Sequence, residues 1–320
     1  MQTTGAKQPQ DRGRFEALAR RLEEAVGGDR VVLGLSLDRW CTYQVGGKAP
    51  LAVFPRTGEE LAEVARILGD APFQVLGLGS NVLVSDEGLD EPVVITKDLS
   101  GMGLDVDGLV WSDAGASCTD LAALALDAGL SGLEFFHMLP GSVGGAAYMN
   151  ARAFGQEVSQ RLVRARLVTR QGDMLSLELS KDDFSYKQSP FMGHDWIIER
   201  LWWRLSPADP GEIQSRMAAN EEHRRRNGEL DHPSCGCVFK NPSGRSAGRM
   251  IESCGLKGFR VGGAWVSEQH ANFVVHDGKA TARDIRAVAE EVRRVVRDRT
   301  QVDLEYEVRF LGRWSEPKSR

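Results

Sequence analysis

The chain has 320 residues, of which 42% are hydrophobic and 27% are charged, a composition typical of a globular protein with more than one domain. Its formal net charge of −5 gives it no general affinity for nucleic acid or anionic membranes, and no apolar run approaches the roughly 20 residues of a membrane span. Five cysteines are too few for a disulfide framework, and the N-terminus lacks a secretory signal. A cytoplasmic protein with reduced thiols is therefore expected.

The first third of the chain combines one long helix with short strands. Residues 1–12 are polar and are expected to be disordered. Apolar residues then recur at helical spacing from Phe15 to Val26, and the glycine pair 27–28 ends this helix. The elements predicted next are strands at 41–47 and 51–55, a helix at 59–68, and strands at 73–77, 82–88 and 92–96.

The middle of the chain returns to longer elements. A helix within 115–130 has Ser117 or Thr119 as its cap and Gly129 as its stop. The other predicted elements are a strand at 109–113, a hairpin of 162–169 with 174–179, a strand at 196–205 and a linker at 207–211.

The last third begins with a helix at 212–226 and ends on an alternating strand. The elements between are predicted as a helix at 246–254, a strand at 272–276 and a helix at 281–298. In the segment 303–311 apolar residues alternate with three carboxylates and an arginine. This pattern indicates either an edge strand with its charged face in water, or a strand that directs one of its carboxylates into a cleft as a general acid or base.

Two glycine-rich loops, 77–81 and 140–145, are candidates for binding phosphate. Each offers a run of backbone N–H groups beside a small hydroxyl, Ser80 or Ser142, although a tight turn would use the same residues. The predicted strand directly after 77–81 disfavours the dinucleotide fingerprint, which requires a helix at that point.

Other candidates follow later in the chain. Lys187 lies between two predicted strands and is either a solvated lysine or a functional cation. Cys235 and Cys237 flank a glycine, and without a second cysteine pair they do not predict a metal site. The arginines at 224–226 and Lys240 add positive charge nearby, which suits an anionic substrate such as a phosphate ester.

Six segments together resemble one known family. They are TYQVGG (42–47), VLGLGSNVLVSDEG (75–88), GLSGLEFFHMLPGSVGGAAYMN (129–150), SCGCVFKNPSG (234–244), GLKGFRVGGAWVSEQHANFVV (255–275) and LEYEVRFLG (304–312). In this order they are similar to the UDP-N-acetylenolpyruvoylglucosamine reductase family, and the resemblance extends from about residue 38 to residue 312.

The resemblance implies an α+β fold. A p-cresol methylhydroxylase-type FAD-binding region of two lobes is followed by a C-terminal α+β substrate-binding domain. The implied limits are a tail and helix at 1–37, FAD-binding lobes at 38–100 and 101–206, the C-terminal domain at 207–313 and a tail at 314–320.

The resemblance also implies the chemistry. FAD is held non-covalently, NADPH reduces it as a co-substrate, and UDP-N-acetylglucosamine enolpyruvate then enters the same cleft. Hydride passes from flavin N5 to C3 of the enolpyruvyl group and a proton is added at C2. The product is UDP-N-acetylmuramate, a precursor of peptidoglycan, and no obligate protein partner is indicated.

Three positions carry the family's catalytic roles, and they match Lys187, Cys237 and Glu307. Lys187 stands where arginine is usual, so a planar fork becomes a point charge. Cys237 stands where serine is usual, and a thiol is the stronger acid. The expected roles are polarisation of the substrate by Lys187, proton donation by Cys237 and orientation by Glu307.

Further residues follow from the same match. The implied cofactor ligands are Gly77, Gly79, Ser80, Asn81, Gly115, Pro140, Gly141, Ser142, Gly144, Gly145 and Asn150. The implied substrate ligands are Tyr186, Arg225, Lys240, Asn241 and His270. Departures from the family pattern occur at Cys41, Arg152 and Glu229, and Arg152 raises a question about the backbone beside the second loop.

Two other functions remain open at this stage. An FAD-dependent oxidase of a sugar or hydroxy acid from the same superfamily would reoxidise in air and ignore NADPH. A nucleotide-sugar or flavin-binding protein without catalysis would bind substrate without turnover, and the replacements at Lys187 and Cys237 are the reason to consider it.

Overall fold

The computed structural model describes residues 9–315, without the side chains of residues 9–12. The disorder expected for residues 1–8 and for the tail from 316 onward lies outside the described residues. Residues 9–12 were expected to be disordered too, but they form the first turn of a helix. The α-helices are α1 (Pro9–Val26), α2 (Gly58–Leu68), α3 (Cys118–Asp127), α4 (Val143–Tyr148), α5 (Pro210–Arg226), α6 (Ala247–Ser253) and α7 (Ala282–Thr300).

The first lobe contains a four-stranded sheet. Its strands are β1 (Val31–Leu33), β2 (Leu51–Val53), β3 (Gln74–Leu76) and β5 (Val93–Ile95), in the order β1-β2-β5-β3. Leu51 and Val53 face the core under α1 and α2, whereas Ala52 faces a second core on the other side. Because both faces are buried, these strands are short apolar runs.

The second lobe contains a five-stranded antiparallel sheet in the order β12-β11-β13-β7-β6. Its strands are β6 (Met102–Leu104), β7 (Val110–Asp113), β11 (Leu162–Val168), β12 (Met174–Glu178) and β13 (Ile197–Trp203). The hairpin β11/β12 confirms the predicted turn, and β6 is a strand that the sequence did not indicate. The side chains of α3, α4 and α5 pack on this sheet.

Short strand pairs complete the structure. They are β8 (Leu130–Ser131) with β14 (Ser206–Pro207), β9 (Arg152–Ala153) with β10 (Gln156–Glu157), the sheet of β15 (Arg260–Val261), β16 (Ala264–Val266) and β17 (Val274–His276), and β4 (Val82–Val84) with β18 (Arg309–Leu311). β4 follows the first glycine loop directly, as predicted. The β9/β10 pair also shows that Arg152 is compatible with a regular backbone, with its side chain exposed.

Core packing crosses the expected domain limits in two places. Tyr43 is fully buried in the core of the C-terminal elements, together with Val45 and residues of α7. Conversely, Ile213 and Met217 of α5 belong to the core of the second lobe. The domain limits inferred from sequence stay predictions.

Three predicted elements differ in the structure. Residues 41–47 were expected to be a strand but form turns, because Gln44 and Gly46 have positive φ. Residues 143–148, expected to belong to a loop, form α4, because the Ser142 side chain accepts a hydrogen bond from Gly145 N and caps the helix. The segment 303–311 is a strand only at Arg309–Leu311.

Candidate active site

A large cavity lies where the two lobes and the C-terminal elements meet. Its volume is about 1520 Å³, and it is lined by both glycine loops and by residues of the C-terminal segments 234–246 and 307–309. A cavity of this size accommodates a dinucleotide and a second ligand together, since ordinary small-molecule pockets are about 300–1000 Å³.

The first glycine loop, 77–81, presents a row of free backbone donors. Among the described residues, none of the five amide N–H groups from Gly77 to Asn81 has a protein acceptor. The loop lines the cavity between the end of β3 and the start of β4. Consecutive unpaired amides form an anion-binding concavity, so this loop fits a diphosphate without any basic side chain.

The second glycine loop offers fewer donors. Val143 N and Gly144 N already donate to Ala116 O at 2.9 Å and Ala114 O at 2.8 Å, and Gly145 N donates to Ser142 Oγ. The amides of Gly141 and Ser142 remain without a protein acceptor in the described chain. The two loops are therefore unequal, and the first provides the larger anion site.

The glycines in these loops are required mainly by contacts between the loops. A Cβ at Gly77 would lie 2.0 Å from Ser142 Oγ, and a Cβ at Gly141 would lie 2.4 Å from Ser80 Oγ. At Gly79 it would lie 2.2 Å from Trp40 O. Protein atoms therefore occupy the space that a side chain would need at these three glycines.

Lys187 and Glu307 form an ion pair in the cavity. Lys187 Nζ lies 2.5 Å from Glu307 Oε1, and each side chain is only 12% exposed. Lys187 has a φ of 57° within the turn where Gln188 N donates to Ser185 O at 3.1 Å. The turn is tied to the end of α4, because Asn150 Nδ2 donates to Ser185 O at 3.0 Å. Lys187 is thus a positioned cation, not a solvated one.

Cys237 lies beside this pair. Burial and, to a smaller extent, the Glu307 carboxylate together raise the pKa of the Cys237 thiol to about 12, and Lys187 opposes the shift. Glu307 N donates to Val238 O at 2.8 Å, so the two segments run side by side. The three predicted catalytic residues come together as a carboxylate, an ammonium and a protonated thiol.

Some predicted ligands line the cavity but also have structural partners. Tyr186 OH accepts a hydrogen bond from Asn241 N at 3.0 Å, and Asn241 Oδ1 accepts one from Ala247 N at 2.9 Å. Burial lowers the pKa of His270, which therefore offers a neutral ring to the cavity. Asn81 Nδ2 donates to Glu307 O at 3.0 Å, which connects the first loop to the catalytic segment.

Four predicted ligands lie outside the cavity lining. Arg225 pairs with Glu221 at 2.7 Å, and Lys240 pairs with Glu305. Asn150 is 1% exposed, with Oδ1 accepting from Ser159 N. The fourth, Gly115, has backbone atoms where its Cβ would be.

The cavity also contains cations that the sequence interpretation did not assign as ligands. Arg224 lines it, is 5% exposed and pairs with Glu229 at 2.9 Å. Helical spacing could have identified Arg224. It lies on the same face of α5 as the buried residues Ile213 and Met217, whereas Arg225 does not. Four further arginines line the cavity without an ion-pair partner among residues 9–315; they are Arg152, Arg245, Arg249 and Arg309. A protein of net negative charge thus places a cationic rim around its cavity.

Two family profiles match the chain. One is described as the FAD binding domain and matches residues 49–178; the other is described as the C-terminal domain of UDP-N-acetylenolpyruvoylglucosamine reductase and matches residues 228–311. These matches confirm the predicted α+β fold class, an FAD-binding region followed by a C-terminal domain.

Curated relatives and a solved structure cover almost the whole chain. The reductase of this name from Clostridium botulinum (strain 657 / Type Ba4) is 34% identical over 91% of this chain and 96% of its own. The one from Synechococcus sp. (strain JA-3-3Ab) is 38% identical over 90% of this chain and 93% of its own. A crystal structure of UDP-N-acetylenolpyruvylglucosamine reductase from Thermus caldophilus is 35% identical, with a TM-score of 0.74 over 88% of this chain and 98% of that chain.

Proposed function

This chain belongs to the UDP-N-acetylenolpyruvoylglucosamine reductase family, and on that premise we propose that it reduces UDP-N-acetylglucosamine enolpyruvate to UDP-N-acetylmuramate with NADPH and FAD. The reaction completes a peptidoglycan precursor. The observation that carries the proposal is the meeting of Lys187, Glu307 and Cys237 in a cavity that also contains a free-amide loop.

The first glycine loop is the proposed site for the cofactor diphosphate. Its unpaired amides at 77–81 match the oxygens of FAD, and Ser80 and the second loop close the same region. When bound, FAD supplies a hydride, received from NADPH, to the substrate. No histidine occurs in residues 77–81, which agrees with non-covalent binding.

Lys187 is proposed to hold the substrate's carboxylate. Negative charge builds up on an enolpyruvyl group when hydride arrives, and a nearby cation stabilises it. The ammonium is only 12% exposed, so its charge acts in a medium of lower dielectric than water. The Glu307 carboxylate holds the Lys187 ammonium in place and balances its charge.

Cys237 is proposed as the proton donor in place of the usual serine. A pKa raised to about 12 keeps the thiol protonated at neutral pH, which a donor requires. The partly exposed side chain lies on the cavity wall, so the proton is available to a bound substrate.

The cytoplasm is the proposed location, since all five cysteines are free thiols. None of the helices between residues 9 and 315 combines the length and the apolar content needed to cross a membrane.

The test is an absorbance spectrum followed by two half-reactions. The purified protein should be yellow, be bleached by NADPH and be reoxidised by UDP-N-acetylglucosamine enolpyruvate without oxygen. A colourless protein that FAD does not reconstitute would refute the proposal. Rapid reoxidation by air with indifference to NADPH would instead identify an oxidase, and tight substrate binding without turnover a binding protein.

A further inference from the structure

Asn272 is a buried amide with an unusual set of partners. Its side chain pairs with the backbone of Phe239 in both directions: Phe239 N donates to Oδ1 at 3.0 Å, and Nδ2 donates to Phe239 O at 2.8 Å. Its own carbonyl accepts from Val238 N at 2.8 Å. Asn272 is 3% exposed, so water does not compete for these bonds.

The same segment is held on its other side by the backbone of Tyr306 and Glu307. Glu307 N donates to Val238 O at 2.8 Å, and Phe239 forms a bridge with Tyr306. The segment 237–239 therefore lies between Asn272 and the backbone of Glu307. A displacement of Asn272 would move Cys237 relative to Glu307.

Cys237 is joined directly to the residue after Asn272, because Cys237 and Phe273 form an antiparallel bridge. The backbone around Cys237 is therefore tied to the backbone around Asn272 as well as to the Asn272 side chain. The Asn272 side chain also acts to lower the pKa of the Cys237 thiol, against the larger effect of burial.

We propose that Asn272 is a positioning residue for Cys237: its side chain clamps residues 237–239 through the backbone of Phe239 and so fixes where Cys237 lies relative to Glu307. The inference rests on the proposed function. Asparagine alone among the standard residues of this size supplies one acceptor and two donors, whereas aspartate keeps the acceptor and loses both donors.

The experiment uses the full-length, FAD-loaded protein with Asn272→Asp and Asn272→Ala. We expect unchanged FAD content and unchanged flavin reduction by NADPH, with reoxidation by the enolpyruvyl substrate slowed about tenfold or more. Asn220→Asp is the matched control, since Asn220 Nδ2 also donates to a backbone carbonyl, that of Glu134, and neither residue lines the cavity. Equal slowing of both half-reactions, or equal slowing by the control, would overturn the proposal.

A second variant tests the route through Cys237. In a Cys237→Ala background, Asn272→Asp should add little further slowing, because the residue acts through a thiol that is absent. If the double variant instead slows reoxidation by the product of the two separate factors, the proposal is overturned.

A chemical readout does not depend on turnover. The rate of Cys237 alkylation by iodoacetamide, followed by peptide mass spectrometry between about pH 8 and 10, reports the reactivity and the accessibility of the thiol. It should rise in Asn272→Ala, because the segment 237–239 loses its clamp and the thiol becomes more accessible. An unchanged rate would overturn the proposal. If wild-type flavin is not reoxidised by substrate, the proposed function fails, yet this readout still decides the role of Asn272.

Discussion

Lys187 Nζ and Glu307 Oε1 lie 2.5 Å apart, although the two residues are distant in the chain. The turn that holds Lys187 follows the β11/β12 hairpin of the second lobe, whereas Glu307 lies in the C-terminal segment just before β18, which pairs with β4. The proposed catalytic pair therefore connects these two parts of the structure.

Breaking this ion pair from one side should destabilise the protein. Lys187→Met or Glu307→Gln leaves one partly buried charge uncompensated, at a cost of about 1–3 kcal/mol after allowance for the residual exposure. Urea unfolding measures it, and the double variant should be more stable than the sum of the two losses predicts. Additive losses would show that the pair is not coupled.

Lys187→Arg should retain or improve activity. Arginine keeps the charge and adds a planar fork suited to a carboxylate. Steady-state rates with NADPH and the enolpyruvyl substrate give the answer. Abolished activity would mean that lysine itself is required at this position.

Replacement of Cys237 should separate the half-reactions. Cys237→Ala should slow reoxidation by about 10²- to 10⁴-fold with flavin reduction nearly intact, and Cys237→Ser should retain much of the rate. Because the thiol pKa is about 12, wild-type reoxidation should show no alkaline loss from this group below about pH 10. An alkaline limb near the ordinary thiol value that disappears in the serine variant would contradict this.

Because the two glycine loops are in contact, a side chain at Gly77 should clash with Ser142, and removal of the Ser142 hydroxyl should relieve part of that clash. Gly77→Ala places a Cβ 2.0 Å from Ser142 Oγ and should weaken FAD binding and cost about 1–3 kcal/mol of stability. Adding Ser142→Ala removes the hydroxyl, although Ser142 Cβ remains at 3.1 Å and the cap of α4 is lost. FAD titration should show the double variant binding more tightly than Gly77→Ala alone. Weaker binding would place the clash elsewhere.

His270 should make stability depend on pH. Burial lowers its pKa in the folded protein, so the unfolded chain binds more protons once the pH falls below about 6.5. The contribution of His270 is present above that pH and is lost as the pH falls toward the folded pKa. Urea unfolding at several pH values should show a flatter profile for His270→Gln. If the two proteins have identical pH profiles, other groups cause the loss of stability at acid pH.

The six family motifs predicted more about this protein than the spacing of hydrophobic residues and the turn residues did. The order of helices, the β11/β12 hairpin and the strand after residues 77–81 follow from periodicity and turn chemistry, and the structure has them. The positive φ of Gln44 and Lys187 depends on tertiary contacts that no local pattern reveals. The expected strand at 41–47 was therefore wrong, and Lys187 alone looked solvated.

Helical phase explains one difference at the site. Arg225 was selected from a run of three arginines, but one residue is about 100° on a helix, and it is Arg224 that faces inward. For Lys240 no such signal existed, because its ion pair with Glu305 depends on how two distant segments align. Roles for Arg225 and Lys240 in substrate binding stay predictions.

The parallel pairing of β4 with β18 has a consequence for biosynthesis. Val82 pairs with Arg309, so β4 is synthesised long before the strand with which it pairs. Until then the first glycine loop lacks its neighbour, and Tyr43 lacks the core that buries it. Long-range pairing of this kind folds late and leaves apolar surface exposed on the nascent chain. A nascent chain that stops before residue 309 should therefore be a target for chaperones and should bind no cofactor.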